Sequence, residues 1–290
     1  MKRVAGMFPE KRLLKNSDRN KIVKKTGIII SIMLICTMFC ACASAAADAP
    51  SPAAAEPAFT SSPSKEIKPT AATESEKTTT NEDKYLDDSW FDDVVFIGDS
   101  VTSSLETYIE QSGDLGDCLF LCRPSYSLRS AVSNEMKLQY GGVYYPIEDA
   151  ILKSGQNKVF IMLGGNDFGL LTERIQGTME YWEIVYNRIV EKNPDVTIFI
   201  ESVLPMHEKS ETESFNNELI DELNLEVMDF CEEKGITYVA LDKYFKDKDN
   251  TLKEEYSLDH QIHINDEGIE VWIDQLKNVD NYSSDPREIK

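Results

Sequence analysis

Short apolar runs alternate with longer amphipathic segments from about residue 90 onward. Five runs predict buried strands, at residues 94–98, 118–122, 158–164, 196–205 and 236–241. Continuous apolar runs of this kind are typical of strands that are covered on both faces. Three segments, at residues 175–194, 215–235 and 265–279, carry apolar residues at helical spacing. The alternation predicts an α/β domain of three layers, with a five-stranded parallel sheet between helices.

Polar residues with catalytic chemistry follow several of these strands. Ser100 follows the first strand, Asn166 follows the third, and Asp259 and His263 come after the fifth. Because ligands bind beyond the carboxyl ends of parallel strands, we expect these side chains to share one edge of the sheet. A serine, a histidine, a carboxylate and an amide donor are the groups that acyl transfer requires.

Each of these residues also has a structural interpretation. Ser100 at a helix start is an ordinary N-cap, and Asn166-Asp167 after two glycines is an ordinary turn. His263 is also interpretable as a residue at a helix start, and His207, beside charged neighbours, is expected on the solvated surface. The order of the candidate residues at successive strand ends favours the catalytic interpretation.

Three motifs resemble those of the SGNH, or GDSL-type, hydrolase family. Gly98-Asp99-Ser100 matches its first motif, Gly164-Gly165-Asn166-Asp167 matches its G-x-N-D motif, and Asp259 with His263 loosely matches its D-x-x-H motif. The resemblance covers about residues 90–277. It implies a flavodoxin-like SGNH hydrolase fold and a serine esterase activity that needs no metal or organic cofactor.

The resemblance also implies a role for each matched residue. Ser100 would be the nucleophile, His263 its general base and Asp259 the acid that orients the histidine. The Asn166 amide and the Ser100 backbone N–H would stabilise the oxyanion. Gly98, Asp99, Gly164 and Asp167 would support the motifs.

The sequence departs from the family pattern in two places. The second motif of the family supplies a glycine N–H to the oxyanion hole, but the stretch RPSYSLRSAV has no glycine. The N–H of Ser127 or of Ser125 is expected to serve instead. Three residues, where the motif has two, separate Asp259 from His263, so that strict spacing would put His260 in the place of the acid. Either Asp259 reaches His263 across an extra residue, or His263 works with a backbone carbonyl.

Residues 1–42 predict an export signal or a membrane anchor. Basic residues precede an apolar run of about 16 residues that ends at Cys42, whereas a membrane span needs roughly 20. Three outcomes stay open: cleavage near Ala45 or Ala47, an uncut anchor, or lipidation of Cys42 at a sequence that resembles a lipobox. Residues 43–86 bury too little apolar surface to fold, which predicts a disordered linker before a hydrolase-like domain at residues 87–290.

Charge narrows the expected partners. The first 26 residues carry a net charge of +7 and the remainder carries -28, within a total of -21. A chain with this much negative charge repels nucleic acid and anionic lipid headgroups. We therefore expect a monomeric serine esterase at the cell surface, tethered to the cytoplasmic membrane, that removes an acetyl or other short acyl group from a carbohydrate or cell-envelope ester. The alternatives are a lysophospholipase or thioesterase, and a non-catalytic surface binding domain.

Overall fold

A computed structural model describes residues 84–170 and 174–288 of the chain. The predictions for residues 1–42, including lipidation of Cys42, and for nearly all of the linker lie outside these described residues. Within the described ranges, no helix is both long enough and apolar enough to cross a membrane.

The strands form one central sheet and one small hairpin. They are β1 (Val94–Gly98), β2 (Leu119–Cys122), β3 (Leu138–Tyr140), β4 (Val143–Tyr145), β5 (Lys158–Met162), β6 (Thr197–Glu201) and β7 (Thr237–Val239). The central sheet has the order β2-β1-β5-β6-β7 and every pair in it is parallel. This is the flavodoxin-like order, in which the chain reverses direction of travel between β1 and β5. The predicted five-stranded parallel sheet is therefore confirmed.

Six α-helices complete the described domain. They are α1 (Ser100–Ser112), α2 (Leu128–Ser133), α3 (Ile147–Ser154), α4 (Arg174–Lys192), α5 (Asn217–Lys234) and α6 (Asp266–Lys277). Residues of α1 and α6 pack on one face of the sheet, and residues of α2 to α5 pack on the other. The three-layer α/β/α architecture predicted from the sequence is confirmed.

Aromatic residues fix the register of the middle of the sheet. Phe96 of β1, Phe160 of β5 and Phe199 of β6 are direct partners across the parallel ladders. The ring centroids of Phe96 and Phe160 lie 5.2 Å apart, and those of Phe160 and Phe199 lie 4.4 Å apart. Such pairs contribute about 0.5–1.5 kcal/mol each beyond the area that they bury. A register slip in either ladder would lose the aromatic contact across that ladder, so both contacts help to keep the strand ends that carry the polar residues aligned.

Gly98 lets the first strand run directly into the first helix. A Cβ atom at this position would lie 1.9 Å from Thr102 Oγ1 and 3.1 Å from the Met162 carbonyl oxygen. The first distance is far too short for a carbon atom, and the second is a tight contact with the backbone of the neighbouring strand. A glycine at residue 98 therefore sets how closely β1, β5 and the start of α1 approach one another.

Candidate active site

Ser100 lies at the point where β1 becomes α1. It is the first residue of the helix, and Asp99 is the N-cap, with its carboxylate accepting from the Val101 N–H at 2.9 Å. The alternative interpretation of Ser100 as the cap is therefore wrong. Because the cap is the preceding residue, the Ser100 hydroxyl takes no part in closing the helix. The first N–H groups of a helix lack intrahelical partners and carry the positive end of its dipole, which favours negative charge beside Ser100.

Ser100, His263 and Asp259 form a continuous chain of hydrogen bonds. Ser100 Oγ lies 2.9 Å from His263 Nε2, and His263 Nδ1 lies 2.6 Å from Asp259 Oδ2. Since a carboxylate only accepts, Nδ1 carries the ring proton and Nε2 accepts from the serine hydroxyl. Burial of Asp259 opposes ionisation, but the His263 hydrogen bond and the Gln261 N–H outweigh it and hold the pKa of Asp259 below its usual value. The acid is therefore a carboxylate at neutral pH.

The extra residue between Asp259 and His263 is absorbed within the loop. His260 has φ 55°, a left-handed conformation that lets the chain turn back on itself. The Leu258 N–H closes the loop on the His263 carbonyl at 2.9 Å. The structure therefore places Asp259, and not His260 or a backbone carbonyl, against His263. The exposed His260 lies beside Glu254 instead.

Asn166 lies at the end of β5, in contact with the cap of α1. Its side-chain amide donates to Asp99 Oδ2 at 2.6 Å and to the Tyr126 carbonyl at 3.3 Å. Burial raises the pKa of Asp99 to about 6, against the opposing effect of the Val101 N–H and of nearby His263. The amide that the sequence predicts for the oxyanion is thus tied to the carboxylate that caps the helix of the nucleophile.

Asp167 fastens the loop after β2 onto the same strand end. Its two carboxylate oxygens accept from the Leu128 and Arg129 N–H groups, at 3.0 and 2.9 Å. It is fully buried, and burial raises the pKa of its carboxyl although both N–H groups lower it. Asp167 therefore caps α2 across the chain, which is a structural task for the last residue of the G-x-N-D motif.

The Ser127 N–H, expected to serve the oxyanion, has a hydrogen-bond partner within the protein. It donates to Ser130 Oγ at 3.0 Å, as half of a capping box that starts α2. Ser125, the alternative, has φ 62°, in the left-handed region that favours glycine, and its side chain is exposed. Within the described residues its N–H has no hydrogen-bond partner. Ser125 is therefore the serine of this loop whose backbone donor is available to a ligand.

His207 is buried, in contrast to the expectation of a solvated surface residue. It is 2% exposed, its Nε2 lies 2.6 Å from Glu254 Oε2, and its backbone N–H donates to the Gln261 carbonyl at 2.7 Å. The His260 ring packs edge-on against it at 5.0 Å. The residue that precedes it, Met206, is clamped through its own N–H and carbonyl by the Asn217 side chain, which draws this segment inward. His207 therefore braces the loop that carries Asp259 and His263.

The group of His207, Glu254 and His260 has the residue types of a metal site, with ligand atoms within 4.8 Å of one another. However, His207 Nδ1 accepts from the Lys209 N–H at 3.1 Å, so the ring proton lies on Nε2 and is donated to Glu254. A metal-binding histidine needs the opposite arrangement, with its second ring nitrogen donating. The arrangement fits a structural brace better than a metal centre.

A small apolar cavity lies beside the hydrogen-bonded chain. Its volume is about 40 Å³, and its wall includes Asp99 and Val101 on either side of Ser100, and Asn166. Val203, Phe215 and Ile262 supply apolar side chains from three other segments. Sequence patterns gave no reason to select these three residues, because they meet only through the fold.

Comparisons with known proteins show the family and the fold of the chain. The family model of the GDSL-like Lipase/Acylhydrolase family matches residues 96–271, more than half of the chain. A structure from Streptococcus pneumonia, provisionally described as a platelet activating factor, is 21% identical, has a TM-score of 0.51, and covers 63% of this chain and 81% of that chain. A structure from Bacteroides fragilis, provisionally described as an acylhydrolase, is 14% identical and has a TM-score of 0.51. The match covers 63% of this chain and 83% of that chain. Both likenesses concern the fold alone. No curated protein matches the sequence.

Proposed function

The chain belongs to the GDSL-like lipase/acylhydrolase family and is a carboxylic ester hydrolase, and on that premise we propose that it is an exported serine esterase. Its substrate would be an acetyl or other short acyl ester of a carbohydrate or of a cell-envelope polymer. The observation that carries the proposal is the pair of short contacts that join Asp259, His263 and Ser100.

The proposed reaction begins when Ser100 Oγ attacks the ester carbonyl carbon. His263 Nε2 takes the hydroxyl proton, and the Asp259 carboxylate stabilises the imidazolium that forms. The tetrahedral intermediate collapses, the proton passes from His263 to the leaving alcohol, and the acyl group stays on Ser100. Water, deprotonated by the same histidine, then attacks the acyl-enzyme and releases the carboxylic acid.

The negative charge on the former carbonyl oxygen would be stabilised by three donors. These are the Asn166 amide, the Ser100 N–H and, in place of Ser127, the N–H of Ser125. Asn166 now donates to Asp99 and Tyr126, so one of its N–H groups would be shared with or turned towards the oxyanion. Losing a single donor of this kind typically costs about 3–4 kcal/mol of transition-state stabilisation.

The size of the apolar cavity supports a short acyl group. A cavity of about 40 Å³ compares with about 10–15 Å³ for each water-sized position, which leaves room for about three to four such positions. A short acyl tail such as acetyl or propionyl fills this space. The geometry thus favours a short-chain esterase over the lysophospholipase alternative.

Export and tethering are proposals that rest on the sequence of residues 1–42. Basic residues, an apolar run and a small-residue region occur in the order of a bacterial export signal. Cys42 is the residue on which a lipid would be carried. Mass analysis of the mature N-terminus would test this part, since an unmodified N-terminus beyond Cys42 would exclude lipidation.

A series of p-nitrophenyl esters would test the proposed activity. The full chain is expected to hydrolyse the acetate with kcat/KM at least tenfold above that of the hexanoate, because the hexanoyl tail exceeds the cavity. Ser100→Ala and His263→Ala should both be inactive. Equal rates of all three proteins on the acetate would leave the non-catalytic binding domain as the better interpretation.

A further inference from the structure

A second and larger concavity begins one helical turn from Ser100. It has a volume of about 400 Å³ and lies between α1 and the segment that leads into α6. We will call it the α1–α6 groove; its wall consists of Ser104, Thr107, Tyr108, Gln111, Ser112, Leu258, Ile264, Asn265, Asp266 and Ile269. This volume lies within the usual range of small-molecule sites, about 300–1,000 Å³.

Both walls of the groove continue directly from the hydrogen-bonded chain of the active site. On α1, residues 104, 107 and 111 lie four, seven and eleven positions after Ser100, so they share the helix face of the nucleophile. Ser104 Oγ donates to the Ser100 carbonyl at 3.2 Å. On the other wall, Leu258 is adjacent to Asp259 and its N–H donates to the His263 carbonyl. The groove therefore adjoins the hydrogen-bonded chain of Ser100, His263 and Asp259 through its Ser104 and Leu258 walls.

We propose that the α1–α6 groove binds the alcohol half of the ester and that this half is a neutral carbohydrate. This inference rests on the proposed esterase function. The apolar cavity and the groove share no lining residue, and Val101 of the cavity wall and Ser104 of the groove wall lie one and four positions after Ser100 on the same helix. The cavity takes the acyl tail, which leaves the groove for the leaving alcohol. A tetrahedral carbon on Ser100 Oγ places these two substituents in different directions.

The chemistry of the wall favours hydroxyl groups over charged headgroups. Ser104, Thr107 and Tyr108 line the groove with hydroxyls whose protons are donated within the protein, so that their oxygens can accept from sugar hydroxyls. The Gln111 amide donates one hydrogen bond to the Thr107 carbonyl and keeps its oxygen as an acceptor, whereas the Asn265 amide is engaged as the N-cap of α6. Among the described residues that line the groove there is no lysine or arginine. The Asp266 carboxyl lines it, and Glu270 accepts from Tyr108 OH at 3.0 Å. These acids repel a phosphate, which distinguishes a sugar alcohol from a phospholipid.

Leu258 supplies an apolar surface at the rim. Its side chain is 64% exposed, the most exposed of the large hydrophobic residues in the described domain. A sugar ring has apolar C–H faces as well as hydroxyl edges, so an isolated leucine at the edge of a hydroxyl-lined groove complements it. A sugar ring placed against Leu258 would remove apolar surface from water.

The test compares two esters in a variant that fills the groove. Thr107→Trp places a large ring on the exposed groove face of α1, and Glu110→Trp places the same ring on an exposed position of α1 outside the groove wall. For the full chain, the ratio of kcat/KM on acetylated cellobiose to that on p-nitrophenyl acetate should fall at least tenfold in Thr107→Trp, through KM. It should change less than twofold in Glu110→Trp. Melting temperatures identify any variant that fails to fold.

The results distinguish a failure of the proposed groove from a failure of the proposed esterase activity. Hydrolysis of both esters with an unchanged ratio in Thr107→Trp would overturn the groove and leave the esterase intact. No hydrolysis of either ester would overturn the esterase and the groove together. Faster hydrolysis of lysophosphatidylcholine than of acetylated cellobiose, lost in Thr107→Trp, would mean that the groove holds a lipid headgroup. Calorimetric binding of acetylated cellobiose to Ser100→Ala, weakened at least tenfold by adding Thr107→Trp, would support the groove independently of turnover.

Discussion

Asp259 Oδ2 lies 2.6 Å from His263 Nδ1 although three residues separate them in the chain. The contact is possible because His260 adopts a left-handed conformation and the loop closes between Leu258 and His263. A departure from the usual motif spacing thus changes the loop and preserves the pairing of acid and base.

Asp259→Asn should lower kcat on p-nitrophenyl acetate by up to about four orders of magnitude. The amide would remove the charge that stabilises the imidazolium and would allow the wrong ring tautomer of His263. Steady-state kinetics measures the effect, with the exposed Glu255→Gln as a control for a lost carboxylate in the same region. A loss in Asp259→Asn of less than tenfold would mean that His263 is oriented by another group.

Asn166→Ala should lower kcat about 10²- to 10³-fold with little change in KM. The amide acts on the oxyanion, which forms only in the tetrahedral intermediate and the transition states that flank it, so ground-state binding is largely unaffected. Because Asn166 also donates to Asp99, circular dichroism and a melting curve are needed to show that the variant is folded. A folded variant whose kcat is unchanged would remove Asn166 from the oxyanion hole.

The three histidines should separate into three phenotypes. His263→Ala should lose activity, since its Nε2 contacts the nucleophile. His260→Ala should keep most of its activity, because its exposed ring contacts only the brace around Glu254. His207→Ala should lower the melting temperature and reduce kcat moderately, since a buried ring and a support of the 259–263 loop are lost. If His260→Ala lost activity and His263→Ala kept it, His260 and not His263 would be the general base.

Glu201 should make the domain less stable as pH rises. Its carboxyl is buried, the Trp272 indole N–H donates to it at 2.9 Å, and burial raises its pKa from 4.5 to about 8. Between these values the unfolded chain has lost the proton and the folded chain has kept it, so stability falls with pH by on the order of 5 kcal/mol. Below pH 4.5 and above pH 8 this contribution is constant.

Glu201→Gln should flatten this part of the pH profile, because the amide still accepts from Trp272 and does not titrate. Urea unfolding at several pH values measures it, with the exposed Glu226→Gln as the matched control. The same pH slope in Glu201→Gln and in the unchanged protein would show that Glu201 ionises normally.

The sheet was predictable because its strands are covered on both faces. Val94 to Ile97 are fully buried, and such runs stand out in a sequence. The β3–β4 hairpin was not predicted, since its strands are three residues long and Val143 and Tyr144 are half exposed. Helices α2 and α3 were missed for a similar reason: six and eight residues are too few for a clear period.

The candidate catalytic residues were predictable because they follow strands, whose ends must meet. The burial of His207 was not, because it depends on Asn217, which clamps the backbone of Met206 from another element. The hydrogen bond that the Ser127 N–H donates was also not predicted from the sequence, although Ser130 three residues later is consistent with a capping box. The cavity wall of Val203, Phe215 and Ile262 has no local pattern at all.

The central claim is that Ser100 Oγ is a nucleophile activated by His263, and covalent labelling tests it most directly. The full chain would be treated with a fluorophosphonate and its peptides analysed by mass spectrometry. One adduct is expected, on the peptide that contains Ser100; it should be absent from Ser100→Ala and form at least 100-fold more slowly in His263→Ala. Ester hydrolysis without labelling of Ser100, or an adduct on another residue, would contradict it.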